Sequence, residues 1–265
     1  MAHAAAGHPH ASRSFDDLVA EAAEVSVDGW DFSWLDGRAT EERPAWGYRG
    51  LLAERLARAR ASLDLETGGG EVLGSADDFP PVAVATESWP PNAAVATALL
   101  HPRGVAVVAT QERAPLPFAD GAFDLVTSRH PVDPPWSEIA RVLAPGGTYL
   151  AQHVGPASGF ELIEWFLGPQ PEARRGRHHD DEEAAARAAG LEVVDVRTQR
   201  LRIEIFDVGA VVYLLRKLVW WVPGFTVEAY GDRLRDLDAL IRRDGVFVAH
   251  SSRTLFELRK PTPTA

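Results

Sequence analysis

The sequence predicts an α/β fold: a doubly wound, mostly parallel seven-stranded sheet, preceded by an N-terminal helical segment and carrying a helical insertion between its last two strands. Three observations predict it. Short apolar runs alternate with helix-like segments through the middle of the chain, the pattern of right-handed βαβ crossovers. The runs are apolar throughout, as in strands buried on both faces. One of them leads into three consecutive glycines, "SLDLETGGGEVL", Ser62 to Leu73.

The elements follow in order. A helix is expected from Ser14 to Ala23, with Ser14 as cap and acids in its first turn. The segment "GWDFSWLDGRATEERPAWGY" is rich in tryptophan and reads as neither strand nor clean helix. A helix from Gly50 to Ala61 shows leucines at helical spacing. Strands are expected at "SLDLE", "VAVATE", "VAVVAT", "FDLVTS" and "TYLAQHV", with helices near Glu71 to Ala76, Asn92 to Leu100 and Trp136 to Leu143. "DDEEAAARAAG" reads as a helix with acids at its start and Gly190 as its stop. The strand-like "LEVVDVRTQRLRIEIF" follows, then helices at about Asp207 to Val219 and Val227 to Arg243, then a closing strand "VFVAHSSRTLFELRK". The expected domains are an N-terminal helical and aromatic cap segment, 1–61, and a catalytic domain, 62–265, with its cap insertion at 207–243.

Composition narrows the function. The 265 residues include no cysteine, which excludes disulfides, thiolate zinc sites and a cysteine nucleophile. A net charge of −11 gives no global basic field for nucleic acid. Arginine far outnumbers lysine and alanine is abundant, which reads as a high-GC bacterial genome. "MAHAAAGHPHAS" lacks the basic start and long apolar stretch of a secretory signal, and "VGAVVYLLRKLVWWVPGF" is too short and too charged to span a bilayer. The expectation is a cytoplasmic protein.

A glycine run between a strand and a helix is either a plain tight turn or a site where a nucleotide approaches the backbone. In a doubly wound sheet, ligands bind beyond the carboxyl ends of the strands. Glu87 ends the second run, at about the distance expected of an acid that accepts hydrogen bonds from a ribose diol; the plainer reading is a helix-start acid.

Four motifs in order make the reading specific. They are "LDLETGGGE", "ATESWPPN", "ERAPLPFADGAFDLVTSRHP" and "WSEIARVLAPGGTYLAQHVG", running from Ser62 to Gly155. Together they resemble the motifs of class I S-adenosylmethionine-dependent methyltransferases, whose fold is Rossmann-like. The resemblance implies S-adenosyl-L-methionine as cofactor. It places Asp64, Glu66, Thr67, Gly68 and Gly70 in the first cofactor motif, and Glu87 and Ser88 at the second strand end. Glu112 and Arg113 fall beside the adenine, Ser128 at the fourth strand end, and Tyr48 within reach of the cofactor carboxylate. Two positions depart from the pattern: Glu66 stands where the family often has its first motif glycine, and Glu112 where it usually has aspartate. A nicotinamide dehydrogenase fits poorly, because "GGG" followed by Glu71 does not give Gly-x-Gly-x-x-Gly and the Leu-Pro-Phe and Pro-Gly-Gly motifs have no role there.

By resemblance, His130 lies past the fourth strand where the methyl group would point, and His153 ends the fifth. Either is a base or substrate ligand, or else a histidine satisfied by loop backbone. No metal is expected: His178, His179 and Asp180 begin an exposed helix, and adjacent histidines are poorly placed to share an ion. Trp30, Trp34, Trp46, Trp220 and Trp221 are either a lid with a hinge at Pro223 and Gly224 or a satellite core. The favoured acceptor is a small molecule. RNA is the alternative acceptor, and a cofactor-binding protein without catalysis is a third reading.

Overall fold

The computed structural model describes residues 12–111 and 115–263. Its strands are β1 (Ala39–Glu41), β2 (Ala61–Leu65), β3 (Val82–Glu87), β4 (Ala106–Ala109), β5 (Phe123–Arg129), β6 (Leu143–Val154), β7 (Glu192–Ile205) and β8 (Phe247–Arg259). The helices are α1 (Phe15–Glu24), α2 (Tyr48–Leu56), α3 (Pro90–Leu100), α4 (Trp136–Val142), α5 (Phe160–Leu167), α6 (His179–Ala188), α7 (Val208–Lys217) and α8 (Gly231–Asp244). The strands form one sheet in the order β1-β7-β8-β6-β5-β2-β3-β4. From β6 to β4 all pairings are parallel, while β6 with β8 and β1 with β7 are antiparallel.

Among the described residues the sheet has eight strands, not seven. The added one is β1, three residues inside the tryptophan-rich segment, pairing Ala39 with Ile205 through Glu41 with Ile203. Its brevity and lack of apolar alternation hid it. The expected helix at Glu71 to Ala76 is a single 3₁₀ turn, Leu73–Ser75, because Gly74 and the glycines before it do not sustain a longer helix. Helix α5 was not anticipated. The other elements fall where expected with ends differing by up to five residues: α2 stops at Leu56 rather than Ala61, and β6 starts at Leu143 rather than Thr148; α7 and α8 do fall between the last two strands.

The chain divides into two compact units. One gathers 44–156, 177–199 and 252–265. Here alternation along the strands separates two cores. Leu63, Leu65, Val126, Tyr149, Ala151 and Phe256 pack with Ile139 and Val142 of α4 and Ala186 of α6. Ala83, Ala85, Leu125, Leu150 and Leu255 pack with Leu52 and Leu56 of α2 and Ala96 and Leu100 of α3. Consecutive residues such as Tyr149 and Leu150 therefore serve opposite faces, the two-residue period of a strand.

The other unit gathers residues up to 43 with 157–176 and 200–251. It is mainly helical. Leu18, Val19 and Ala22 of α1 share one core with Val208, Val211 and Leu215 of α7 and Leu234, Leu237 and Ile241 of α8. Caps set the helix starts: Ser14 Oγ accepts from Asp17 N at 3.1 Å, and Asp207 Oδ1 accepts from Ala210 N at 2.9 Å. Among the aromatics, Trp34 stacks on Tyr213 with centroids 4.9 Å apart, and Trp30 meets Trp220 at 6.1 Å. Trp46 and Tyr48 belong to the first-described unit instead.

Gly159 gives a sharp test of the helical unit. Its φ is +74°, and a Cβ there would lie 2.6 Å from Cη2 of Trp221. Gly159→Ala combines left-handed backbone strain with overpacking, each of order 1–2 kcal/mol. Urea unfolding is expected to show a loss of about 2–4 kcal/mol. A loss below about 0.5 kcal/mol, the scale of an ordinary surface change, would mean that the Trp221 ring yields freely.

Candidate functional site

The site is built where β2 ends between its parallel neighbours. Asp64 pairs with Ala85 of β3 and Thr127 of β5, and Leu65 pairs with Ser128. Beyond Leu65 the chain enters the glycine turn. Gly70 has φ +84°, and a Cβ there would lie 2.9 Å from Leu100 Cδ1 and 3.5 Å from Ala96 Cα. The last glycine thus lets the turn seat directly on α3.

Glu87, the last residue of β3, holds the turn in place. Its Oε2 accepts from Gly68 N at 2.7 Å and its Oε1 from Trp89 N at 2.9 Å. The side chain is buried. Burial pushes its pKa up; the two backbone N–H groups oppose this, and the nearby Glu66 carboxylate adds to the rise. Glu66 has φ +52° and is exposed. Its Oε2 accepts from Ser88 Oγ at 2.7 Å and Ser88 N at 3.2 Å. Glu66, Gly68, Glu87 and Ser88 are therefore brought into one cluster.

Asp64 lies buried beneath that cluster, accepting from Thr127 Oγ1 at 2.5 Å. The Thr67 hydroxyl oxygen is buried with no hydrogen-bond partner, beside the Asp64 carboxyl but outside hydrogen-bonding geometry. Burial raises the Asp64 pKa from 3.8 to about 6; Thr127 and Thr67 pull it down and Glu87 pushes it further up. Buried carboxylates beside an orphaned hydroxyl and a backbone-exposing turn suit a polar, cationic nucleoside-type ligand. Ser128 Oγ donates to Leu65 O at 3.2 Å. Tyr48 is buried, and its hydroxyl donates to the backbone oxygens of Ser128 at 3.0 Å and Leu150 at 3.4 Å. Its hydroxyl is thus committed to the sheet backbone, under the site. Glu112 and Arg113 lie outside the described residues.

The two histidines have different surroundings. His130 follows β5 with φ +59°, its backbone N–H donating to Gln152 O at 2.7 Å. The Gln152 side chain bridges it to Trp46: Trp46 Nε1 donates to Gln152 Oε1 at 2.9 Å, and Gln152 Nε2 meets His130 Nε2 at 3.2 Å. Burial carries the His130 pKa well below its ordinary value, helped by Arg129, Arg253, His153 and Arg177. His153 is 1 % exposed. Its Nδ1 meets Glu182 Oε2 at 2.7 Å and its Nε2 meets the Tyr149 hydroxyl at 3.1 Å. The rings of Phe256 and Trp136 lie 4.7 and 5.9 Å from it. With both nitrogens engaged inside an aromatic core, His153 has no nitrogen left for an acceptor.

The adjacent histidines expected to be poorly placed to share an ion do approach one another, their rings stacking with centroids 4.5 Å apart. Ligand atoms of His178, His179 and Asp180 lie within 4.8 Å of one another. The His178 Nδ1 lone pair, however, already accepts from Asp180 N at 3.3 Å as the cap of α6. Sequence reasoning missed Thr127, Gln152 and Glu182. Gln152 and His153 were detectable as two adjacent polar residues inside an otherwise apolar strand, each of which must find a partner on its own face.

Residues 63–151 match the family model described as a methyltransferase domain. No curated protein matches the chain. A candidate methyltransferase from Bacillus halodurans shares its fold at 20 % identity, covering 81 % of this chain and 99 % of that one, with a TM-score of 0.55. A phosphoethanolamine N-methyltransferase 2 of Haemonchus contortus, solved with S-adenosyl-L-methionine, aligns at 18 % identity over 94 % of this chain and 60 % of its own, TM-score 0.52. The [4+2]-cyclase SpnF aligns at 20 % identity over 81 % of each chain, TM-score 0.50. At these identities the likeness is one of fold.

Proposed function

We propose that this chain, whose residues 63–151 match a methyltransferase-domain family model, is a class I methyltransferase that transfers the methyl group of S-adenosyl-L-methionine to a small-molecule acceptor. The observation that carries the cofactor reading is the Glu87 carboxylate gripping Gly68 N at 2.7 Å at the strand end where the resemblance places a ribose acceptor. Bound there, the cofactor supplies an electrophilic methyl on a sulfonium. Glu87 positions the turn and accepts from the diol, Glu66 and Ser88 line the same edge, and Asp64 offers a negative charge to the cationic end. Tyr48 and Ser128 brace the floor. Since the chemistry is an in-line displacement, these residues act by positioning and by excluding water.

A small acceptor is favoured over RNA by the net charge of −11. Isothermal calorimetry tests the cofactor: S-adenosylmethionine and its demethylated product are expected to bind, and binding of a nicotinamide cofactor in their place overturns the reading. Turnover in metabolite extracts with a labelled methyl donor tests the acceptor; label found only in RNA reverses that choice. Cofactor binding without any turnover would support the non-catalytic alternative, an outcome to weigh given that the fold also serves a cyclase.

Asp64 yields a pH prediction. Its folded pKa, about 6, lies above the unfolded value of 3.8. The native state therefore binds the proton more tightly, and this stabilisation is fully present below about pH 4 and lost as pH rises through about 6. The difference corresponds to at most about 3 kcal/mol. Asp64→Asn is expected to raise thermal stability at pH 8, to leave it nearly unchanged at pH 4, and to weaken cofactor binding. Equal stability changes at both pH values would show that Asp64 ionises normally.

A further inference from the structure

Trp46, Gln152 and His130 form a relay whose protons can be assigned from the heavy atoms alone. An indole N–H only donates. The Gln152 atom 2.9 Å from Trp46 Nε1 must therefore be the amide oxygen. The other arm of that amide, a pure donor, then faces His130 Nε2 at 3.2 Å. Nε2 can only accept, so its lone pair is taken and the ring proton sits on Nδ1. A charged imidazolium would set N–H against N–H. Gln152 itself is 4 % exposed, which leaves its amide no water to turn to.

The surroundings act in the same direction. Arg129 adjoins His130 and pairs with Gln152 across β5 and β6. On β8, Arg253 stands opposite Val154, the diagonal neighbour of Gln152 on the same face. Arg177 precedes the cap of α6, and His153 approaches from β6. All four oppose a positive charge on His130. The Nδ1–H has no hydrogen-bond partner among the described residues. His130 stands two residues past Ser128, whose strand partner Leu65 leads into the glycine turn.

We propose that His130 is a fixed, uncharged hydrogen-bond donor to an anionic group of the methyl acceptor, held in that state by the Trp46–Gln152 relay. A general base would need a bare nitrogen facing the acceptor; here the bare nitrogen faces Gln152. A neutral donor near Arg129, Arg253 and Arg177 suits a carboxylate or phosphate. The acceptor class rests on the methyl-transfer reading above, whereas the tautomer does not.

Long-range ¹H–¹⁵N correlation spectra of the full-length ¹⁵N-labelled chain decide the matter. The expected result is an Nδ1–H tautomer for His130, with no titration between about pH 5.5 and 8, the range in which an unperturbed histidine titrates. Gln152→Glu replaces the donor with an acceptor. That variant is expected to show Nε2–H and to titrate within the range, a change that lost packing alone would not produce. Adding acetate or inorganic phosphate to the unaltered protein is expected to shift the Nδ1–H signal. A response to acetate alone points to a carboxylate, and to phosphate alone to a phosphate ester. An Nε2–H tautomer, an ordinary titration in the unaltered protein, or no response to either anion overturns the proposal. Failure of S-adenosylmethionine to bind in calorimetry, with the tautomer as expected, would instead remove the methyl-transfer reading and leave the relay standing.

Discussion

Glu87→Ala is expected to weaken S-adenosylmethionine binding by about 10- to 100-fold, the scale of a hydrogen bond to a charged group. Two effects converge at this residue. The variant removes the proposed diol acceptor, and it releases Gly68 N and Trp89 N, which the carboxylate holds at 2.7 and 2.9 Å. Glu87→Gln is no neutral control. A single amide oxygen can serve one of the two backbone donors, and the amide nitrogen would confront the other. Both variants are expected to fall in affinity, the alanine further, when measured by calorimetry on protein shown to be folded by circular dichroism. Unchanged affinity in a folded Glu87→Ala protein would remove the ribose assignment.

His153→Ala is expected to cost stability first. The ring is 1 % exposed, with Glu182 on one nitrogen and the Tyr149 hydroxyl on the other. Truncation opens a cavity against Phe256 and Trp136 and leaves two polar groups without their partner, a combined loss of about 3–5 kcal/mol. Urea unfolding at constant pH measures it. In protein that remains folded at low temperature, S-adenosylmethionine affinity is expected to change less than twofold, because no nitrogen of this ring is free to meet a ligand. A small stability loss with abolished turnover would restore His153 as a candidate base.

The parts of the site that could be read from sequence are local ones. "LDLETGGGE" carries its turn in its own glycines, and Glu87 announces itself by ending an apolar run. These signals need only strand periodicity and backbone sterics. The parts that stayed hidden depend on pairings between distant residues. Glu182 meets His153 from a helix read only as having acids at an exposed start, and Trp46 reaches Gln152 from a segment read as either a lid or a satellite core. Which state a histidine holds depends on such partners, so His130 could be located but not given a role. The fold was more legible than the site for the same reason. Alternating βα periodicity survives in any one stretch, whereas β1 is defined only by its partner Ile203–Ile205.

The helical unit is assembled from three stretches of chain, and this has a consequence for biosynthesis. Leu18, Val19 and Ala22 of α1 share their core with residues of α7, and Val208 lies 193 positions after Phe15. At about 5–20 residues per second, a nascent chain leaves the apolar face of α1 without that partner for about 10–40 s. A ten-residue helix is marginal on its own over such a time. Helix α1, made well before its partners, thus waits uncovered while the intervening chain is synthesised, and the helical unit closes only after most of the sheet has been made.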